Sequence, residues 1–294
     1  MIRIVFLGTG PVAAASLKSL IQNFDVEFVV TKTAQENHGK PLPAPVEMLA
    51  RENNIPIKFA NSKTELDNLI EQNSFDSQVG IIVDYGVIVS QRVIDAFKLG
   101  IINSHFSLLP EWRGADPITF AILSGQSVTG VSLMLIEPKL DTGKLLAQEK
   151  LDIASDETTP SLTDKLVDLS NQMLSKYVVQ YLDGKITPFE QDNSENATYS
   201  RKITKSDGDL DPVTMTAVDI DRKVRAFIGW PKTRLVFHGQ EVIITKVKVL
   251  NNFAGDDWPD VIPCGENTFL QIIELFNPKS GKQMKTADYL RGLH

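Results

Sequence analysis

Apolar residues in the first half of the chain come in short runs, separated by stretches with helical spacing. Ile2–Leu7 is a run with β-branched residues that ends in Gly-Thr-Gly, and Pro11–Asn23 then carries Leu17, Leu20 and Ile21 along one helical face. Val26–Val30, Val79–Val83, Gly100–Asn103 and Gly130–Ile136 are further strand-like runs. Pro45–Asn53, Ser90–Phe97 and Asp116–Leu123 read as helices between them, with Ser90 placed to cap its helix. Such alternation predicts βαβ units and a mostly parallel, Rossmann-like α/β sheet covered on both faces. Leu162–Leu182 keeps the helical period longest. The texture then changes: Asp183–Asn196 is rich in Gly, Pro, Asn, Asp and Ser, as linkers are. Beyond it, Ala217–Phe227 reads as a helix. Leu235–Phe237, His238-Gly239 and Gln240–Lys246 read as a hairpin, and Phe269–Leu275 as a strand. Several short strands in so little chain predict a small β-barrel.

The chain of 294 residues is long enough for two domains, and the pattern places them at 1–182 and 204–294, joined by a linker at 183–203. Cys264 is the only cysteine, which excludes an internal disulfide and a cysteine-rich zinc site and fits a reducing, cytoplasmic setting. The apolar N-terminus is broken by Gly8, Gly10 and Pro11, so it reads as a buried strand and not a leader. No run approaches the roughly 18 apolar residues of a membrane span, so no membrane partner is expected. The net charge of −7 argues against a nucleic-acid partner until it is divided. Residues 200–294 hold 14 Lys and Arg against 12 Asp and Glu, a balance of +2, which leaves 16 against 25, or −9, for residues 1–199.

Three motifs could carry chemistry. Gly8-Thr9-Gly10-Pro11-Val12-Ala13 has the spacing of a dinucleotide turn. However, the second strand ends Val29-Val30-Thr31-Lys32 with no acid for a ribose, and Pro11 lacks an amide donor. A tight strand-to-helix turn is the better reading. In Gly100–Gly114, Asn103 and His105 stand two apart on a strand, so both face one spot at its C-terminal end, where open α/β sheets place ligand crevices. A carboxamide suits a developing oxyanion, and an imidazole moves protons near neutrality. Leu140-Asp141-Thr142-Gly143 follows the Gly130–Ile136 strand and could bring a carboxylate to the imidazole. With no Ser or Cys nucleophile or metal cluster, the three suit acyl-type transfer without a covalent intermediate. On residues alone, a histidine satisfied by a loop carbonyl and an Asx-type turn at Asp141 stay open.

The pattern Asn103-x-His105-x-Ser107-Leu108-Leu109-Pro110-x-x-Arg113-Gly114, with Leu140-Asp141-Thr142-Gly143 downstream, resembles the 10-formyltetrahydrofolate-dependent formyltransferases. Arg113–Ile118, Gly130–Met134 and Pro43-Ala44-Pro45-Val46 also match that family. Beyond the linker, Ala197–Ile203 and Arg225-Ala226-Phe227-x-x-Trp230-Pro231 resemble its C-terminal domain. The resemblance implies a formyltransferase domain followed by a small OB-like β-barrel. It implies 10-formyltetrahydrofolate as donor co-substrate and no metal. The C-terminal match narrows the acceptor to the α-amino group of methionine on initiator methionyl-tRNA, with no obligate protein partner. Asn103 and His105 would bind the formyl group and its oxyanion, while Asp141 keeps His105 oriented and charged. Ser107, Leu108, Leu109, Pro110, Asp84, Tyr85 and Gly86 would contact folate. Lys40, Arg201, Lys202 and Arg225 would contact tRNA, and Trp230-Pro231 would be a buried anchor.

This chain departs from the family at three places. Phe106 stands where the family has Pro, and Asp84 where it often has a small residue. The loop Lys32–Leu42, longer and Arg-rich in the family, carries no Arg here and includes Glu36. That weakened loop favours one other reading, transfer to an amino-sugar nucleotide or hydrolysis of formyl-folate; a second, an inactive tRNA- or folate-binding module, is opposed by the intact Asn103, His105 and Asp141.

Overall fold

The computed structural model describes residues 1–37, 40–192, 196–250 and 258–293. Up to residue 200 the elements are β1 (Arg3–Leu7), α1 (Pro11–Leu20), β2 (Asp25–Thr31), β3 (Gln35–Asn37), β4 (Lys40–Leu42), α2 (Pro45–Glu52), β5 (Ile57–Phe59), α3 (Lys63–Gln72), β6 (Gly80–Ile82), α4 (Gln91–Asp95), β7 (Ile101–His105), β8 (Arg113–Gly114), α5 (Pro117–Ser124), β9 (Val128–Leu135), β10 (Leu145–Asp152), α6 (Thr159–Leu182) and β11 (Tyr199–Ser200). From there come α7 (Ala217–Ala226), β12 (Thr233–Phe237), β13 (Gln240–Leu250), β14 (Val261–Cys264), β15 (Thr268–Asn277), β16 (Lys282–Lys285) and α8 (Thr286–Arg291). The chain divides into two units. The first holds Met1–Gly114, Thr129–Leu151 and Thr163–Tyr199; the second holds Ala115–Val128, Asp152–Leu162 and Ser200 onward. Neither is one continuous stretch.

The first unit is built on a seven-stranded sheet in the order β10-β9-β7-β6-β1-β2-β5. β1 is parallel to β2 and β6, β2 to β5, and β6 to β7. This is the mostly parallel, Rossmann-like sheet expected. Ile4, Val5, Phe6 and Leu7 are all buried because both faces of β1 are covered. On one side Val5, Leu7, Phe28 and Val30 join Leu66 and Ile70 of α3 and Val93 of α4 in a single core. At the β1–α1 turn, a Cβ on Gly8 would stand 2.6 Å from that of Ala13 and 2.8 Å from the Val83 carbonyl oxygen. Glycine is needed there for close packing, which favours the tight-turn reading. β9 is the exception in direction: it runs antiparallel to β7, pairing Ile102 with Leu135 and His105 with Ser132.

The second unit contains a five-stranded sheet in the order β12-β13-β15-β14, with β16 also on β15 and every pair antiparallel. It is the small OB-like fold expected. The β12–β13 hairpin turns at His238-Gly239, both at positive φ (+47° and +74°), the backbone a two-residue type I′ turn requires. Val242, Ile244, Leu270, Ile272 and Leu275 point inward against Ile220 and Val224 of α7 and Tyr289 of α8. Glu241, Lys246 and Lys248 face out. Helix α5 packs on α7, and the Arg222 guanidinium lies over Gly125.

Candidate active site

Asn103 and His105 close β7, whose parallel neighbour β6 ends at Ile82 opposite Asn103. Strand alternation puts both side chains on one face; Asn103 is half-buried and His105 buried. The imidazole Nε2–H donates to the Trp112 carbonyl oxygen at 3.0 Å. A carbonyl only accepts, so this bond fixes the proton on Nε2 and leaves Nδ1 as the free nitrogen of the neutral ring. Nδ1 lies 3.9 Å from Asp141 Oδ2. Because β9 is antiparallel to β7, the chain leaves β9 opposite Ile102, and the loop 136–144 must carry the carboxylate back toward His105. Asp141 adopts a left-handed backbone (φ +50°), and its Oδ2 accepts from the Gly114 N–H at 2.7 Å. A Cβ on Gly143 would lie 1.7 Å from the Leu135 carbonyl oxygen, so only glycine lets this turn close on the end of β9.

Burial pushes the His105 imidazole below its ordinary pKa; the Asp141 carboxylate and the Trp112 carbonyl pull the other way without offsetting it. Burial thus opposes the expected role of Asp141 in keeping the ring charged. At 3.9 Å the carboxylate is beyond hydrogen-bond reach, and desolvation favours the neutral ring. The loop-carbonyl reading of His105 holds for one nitrogen only.

The residues expected to meet folate fall on two loops that leave adjacent parallel strands at the same end. In the loop after β7, Ser107 Oγ donates to the Glu111 carbonyl. Ser132 Oγ donates to the Ser107 carbonyl at 2.6 Å and accepts from the Leu109 N–H at 3.0 Å, and Gln148 Nε2 donates to the Leu109 carbonyl at 2.7 Å. Ser107 and Leu109 are buried, whereas Leu108 and Pro110 are half-exposed. Phe106 is buried too. In the loop after β6, Tyr85 belongs to the core and donates its hydroxyl to the Ala60 carbonyl at 2.9 Å, while Gly86 O accepts from Lys32 Nζ at 3.1 Å. Asp84 sits at φ +45° with its carboxylate over Gly10. Sequence reasoning did not single out Ser132, Gln148 or Gln191 as site residues. Ser132 and Gln148 sit in strands, where a polar residue facing inward was the available signal.

Residues 2–178 match the formyl transferase family, and residues 202–294 match the formyl transferase C-terminal domain. The chain belongs to the formyl transferase family. A methionyl-tRNA formyltransferase of Pseudoalteromonas translucida is 35% identical over 306 residues, covering 99% of this chain and 94% of the relative. Among solved structures, an N-formyltransferase from Helicobacter canadensis in complex with folinic acid and dTDP-3-aminofucose is similar in fold. Its TM-score is 0.70 at 20% identity, over 92% of this chain and 99% of that one. A glycinamide ribonucleotide transformylase from Symbiobacterium toebii gives a TM-score of 0.56 at 18% identity, over 65% and 95%.

In this formyl transferase the basic residues expected to meet tRNA are placed very differently from one another. Arg201 is bidentate on Asp207, its Nη1 at 2.8 Å, and holds that carboxyl well below the usual range. Arg225 donates to Asp221 at 2.9 Å and to the Glu157 carbonyl at 2.9 Å. Lys202 is exposed. The side chains of residues 35–41, Lys40 included, lie outside the described residues. Trp230 corrects an expectation: it is 59% exposed, and the buried anchors are Phe227 and Pro231 on either side of it. Among the described residues no helix is long and apolar enough to cross a membrane, and no three His, Cys, Asp or Glu side chains gather as metal ligands.

Proposed function

We propose that this formyl transferase moves the formyl group of 10-formyltetrahydrofolate to the α-amino group of methionine on initiator methionyl-tRNA. The observation that carries the acceptor is the one-third identity, over both matched regions, to relatives named for that reaction. The amine lone pair attacks the formyl carbon, and the carbonyl electrons move to oxygen. Asn103 donates its amide N–H to that oxyanion. The neutral imidazole takes the amine proton at Nδ1, the one ring nitrogen not held by Trp112. Asp141, 3.9 Å away, stabilises the imidazolium that forms. Collapse breaks the bond to the folate nitrogen, which leaves with the proton His105 returns. The loops 84–86 and 106–110 hold the folate, with Leu108 and Pro110 offering the accessible surface.

His105→Ala and Asp141→Asn are each expected to lose at least about a hundredfold in kcat while remaining folded; near-normal turnover in either removes this mechanism. A second reading, transfer to an amino-sugar nucleotide, is favoured by the fold match to the Helicobacter canadensis enzyme and by a 32–42 loop without arginine. Parallel assays of formyl transfer to methionyl-tRNA and to a dTDP-amino sugar separate the two. Turnover on the sugar alone overturns the tRNA reading.

A further inference from the structure

Gln191 belongs to the stretch that composition marks as a linker, yet it is 3% exposed. Its Nε2 donates to the carbonyl oxygens of Asp141 and Gly143, both at 2.8 Å. Its Oε1 accepts from Arg113 Nη2 at 2.7 Å. Both N–H groups and the carbonyl of this amide are thus used. Arg113 sits between the two backbone groups that organise the proton-transfer pair. The carbonyl before it, on Trp112, binds His105 Nε2, and the N–H after it, on Gly114, binds the Asp141 carboxylate. The Arg113 N–H is anchored in turn on the Thr198 carbonyl at 2.9 Å. One side chain therefore clamps the main chain of Asp141 to the segment that binds both the Asp141 carboxylate and the His105 ring.

We propose that Gln191 is a positioning residue for formyl transfer, setting the approach of the Asp141 carboxylate to His105 Nδ1. The inference rests on the assignment of these two residues as the proton-transfer pair. The residue type is specific. A glutamate at 191 would still pair with Arg113 but would turn carboxylate lone pairs toward two carbonyl oxygens. A methionine would fill the space and donate nothing. Asp141 holds a left-handed backbone, which aspartate tolerates without being confined to it, and the two bonds to the 141 and 143 carbonyls hold the main chain there.

The test is a cycle on the full chain, read by the NMR titration of His105 and by kinetics. In the wild-type background Asp141→Asn removes an attraction that raises the imidazole pKa, so the pKa falls. In the Gln191→Met background that fall is expected to shrink by about half or more. In parallel, kcat is expected to drop about tenfold to a hundredfold, with KM for donor and acceptor within about threefold. Gln191→Asn keeps the amide but withdraws it by one methylene. It gives the same pattern and serves where Gln191→Met does not fold. An unchanged fall in pKa, or a kcat within about twofold of wild type, overturns the proposal. Because the titration needs no substrate, it decides the role of Gln191 even if methionyl-tRNA proves not to be the acceptor.

Discussion

His105 commits one ring nitrogen to the Trp112 carbonyl, and its burial has a consequence for stability. In the unfolded chain the ring titrates near its ordinary pKa of ~6.5; in the folded protein burial sets it lower. The unfolded state therefore binds more protons in that window, and stability present above the unfolded value is lost as pH falls toward the folded one. Thermal unfolding at pH 7 and pH 5 should show a smaller loss for His105→Asn than for wild type; an equal loss would assign the acid sensitivity to other groups. Cys264 is opposite in character: burial pushes its thiol up to about 11. A thiol reagent at pH 8 should modify it only after unfolding, since roughly one part in a thousand is thiolate. Asn103, His105 and Asp141 were legible because strand alternation and the Leu-Asp-Thr-Gly turn mark side chains. The Trp112 carbonyl was not, because a backbone acceptor leaves no trace in residue identity. Gln191 was hidden by its neighbours, whose Gly, Pro, Asn and Asp content describes the segment and not the one residue it buries. Trp230 misled because hydrophobicity was read as burial, while only Phe227 and Pro231 turn inward.

Helices and strands with continuous apolar runs were visible in the chain; those with one thin apolar face were not. β1, β7 and β9 are nearly all buried, whereas β10 alternates outward after Ala147 and went unread. Helix α3 buries only Leu66 and Ile70, too few to assert a helical period. Yet its start carried a signal in Ser62: its Oγ caps the helix, accepting from the Glu65 N–H at 3.3 Å. Ser62→Ala should lower stability by about 1 kcal/mol in urea titration; no change would mean the cap is replaced by water. The turn after β9 is far less tolerant. Gly143→Ala sets a methyl against a backbone carbonyl that cannot rotate away. It should cost about 3 kcal/mol or more, together with most activity, because the turn that must shift carries Asp141. A fully active, fully stable Gly143→Ala protein would show that the loop closes in some other way.

Dividing the net charge along the chain credited residues 200–294 with a slight positive excess, but the structure shows how little of it is available. Every arginine in that stretch already faces an aspartate: Arg201 with Asp207, Arg222 with Asp219, Arg225 with Asp221, Arg234 with Asp209 and Arg291 with Asp288. On the proposed tRNA reading, phosphate contacts would fall to exposed lysines such as Lys202, Lys205, Lys246 and Lys248. In tRNA binding measured across a salt series, replacing a contacting lysine such as Lys202 with alanine should reduce the log–log slope by about 1. Arg201→Ala should leave it unchanged, since its charge is already neutralised. A lowered slope for Arg201→Ala would mean that the Asp207 pair opens for phosphate. The interleaving of the two units bears on how the protein is made. When the first 199 residues have been synthesised, the first unit has all its parts, but α5 has been waiting without α7, the helix it packs against. Helix α5 buries Ile118, Ala121 and Ile122 in the finished protein. The order of translation thus gives this fold an interval in which a hydrophobic helix depends on sequence not yet delivered.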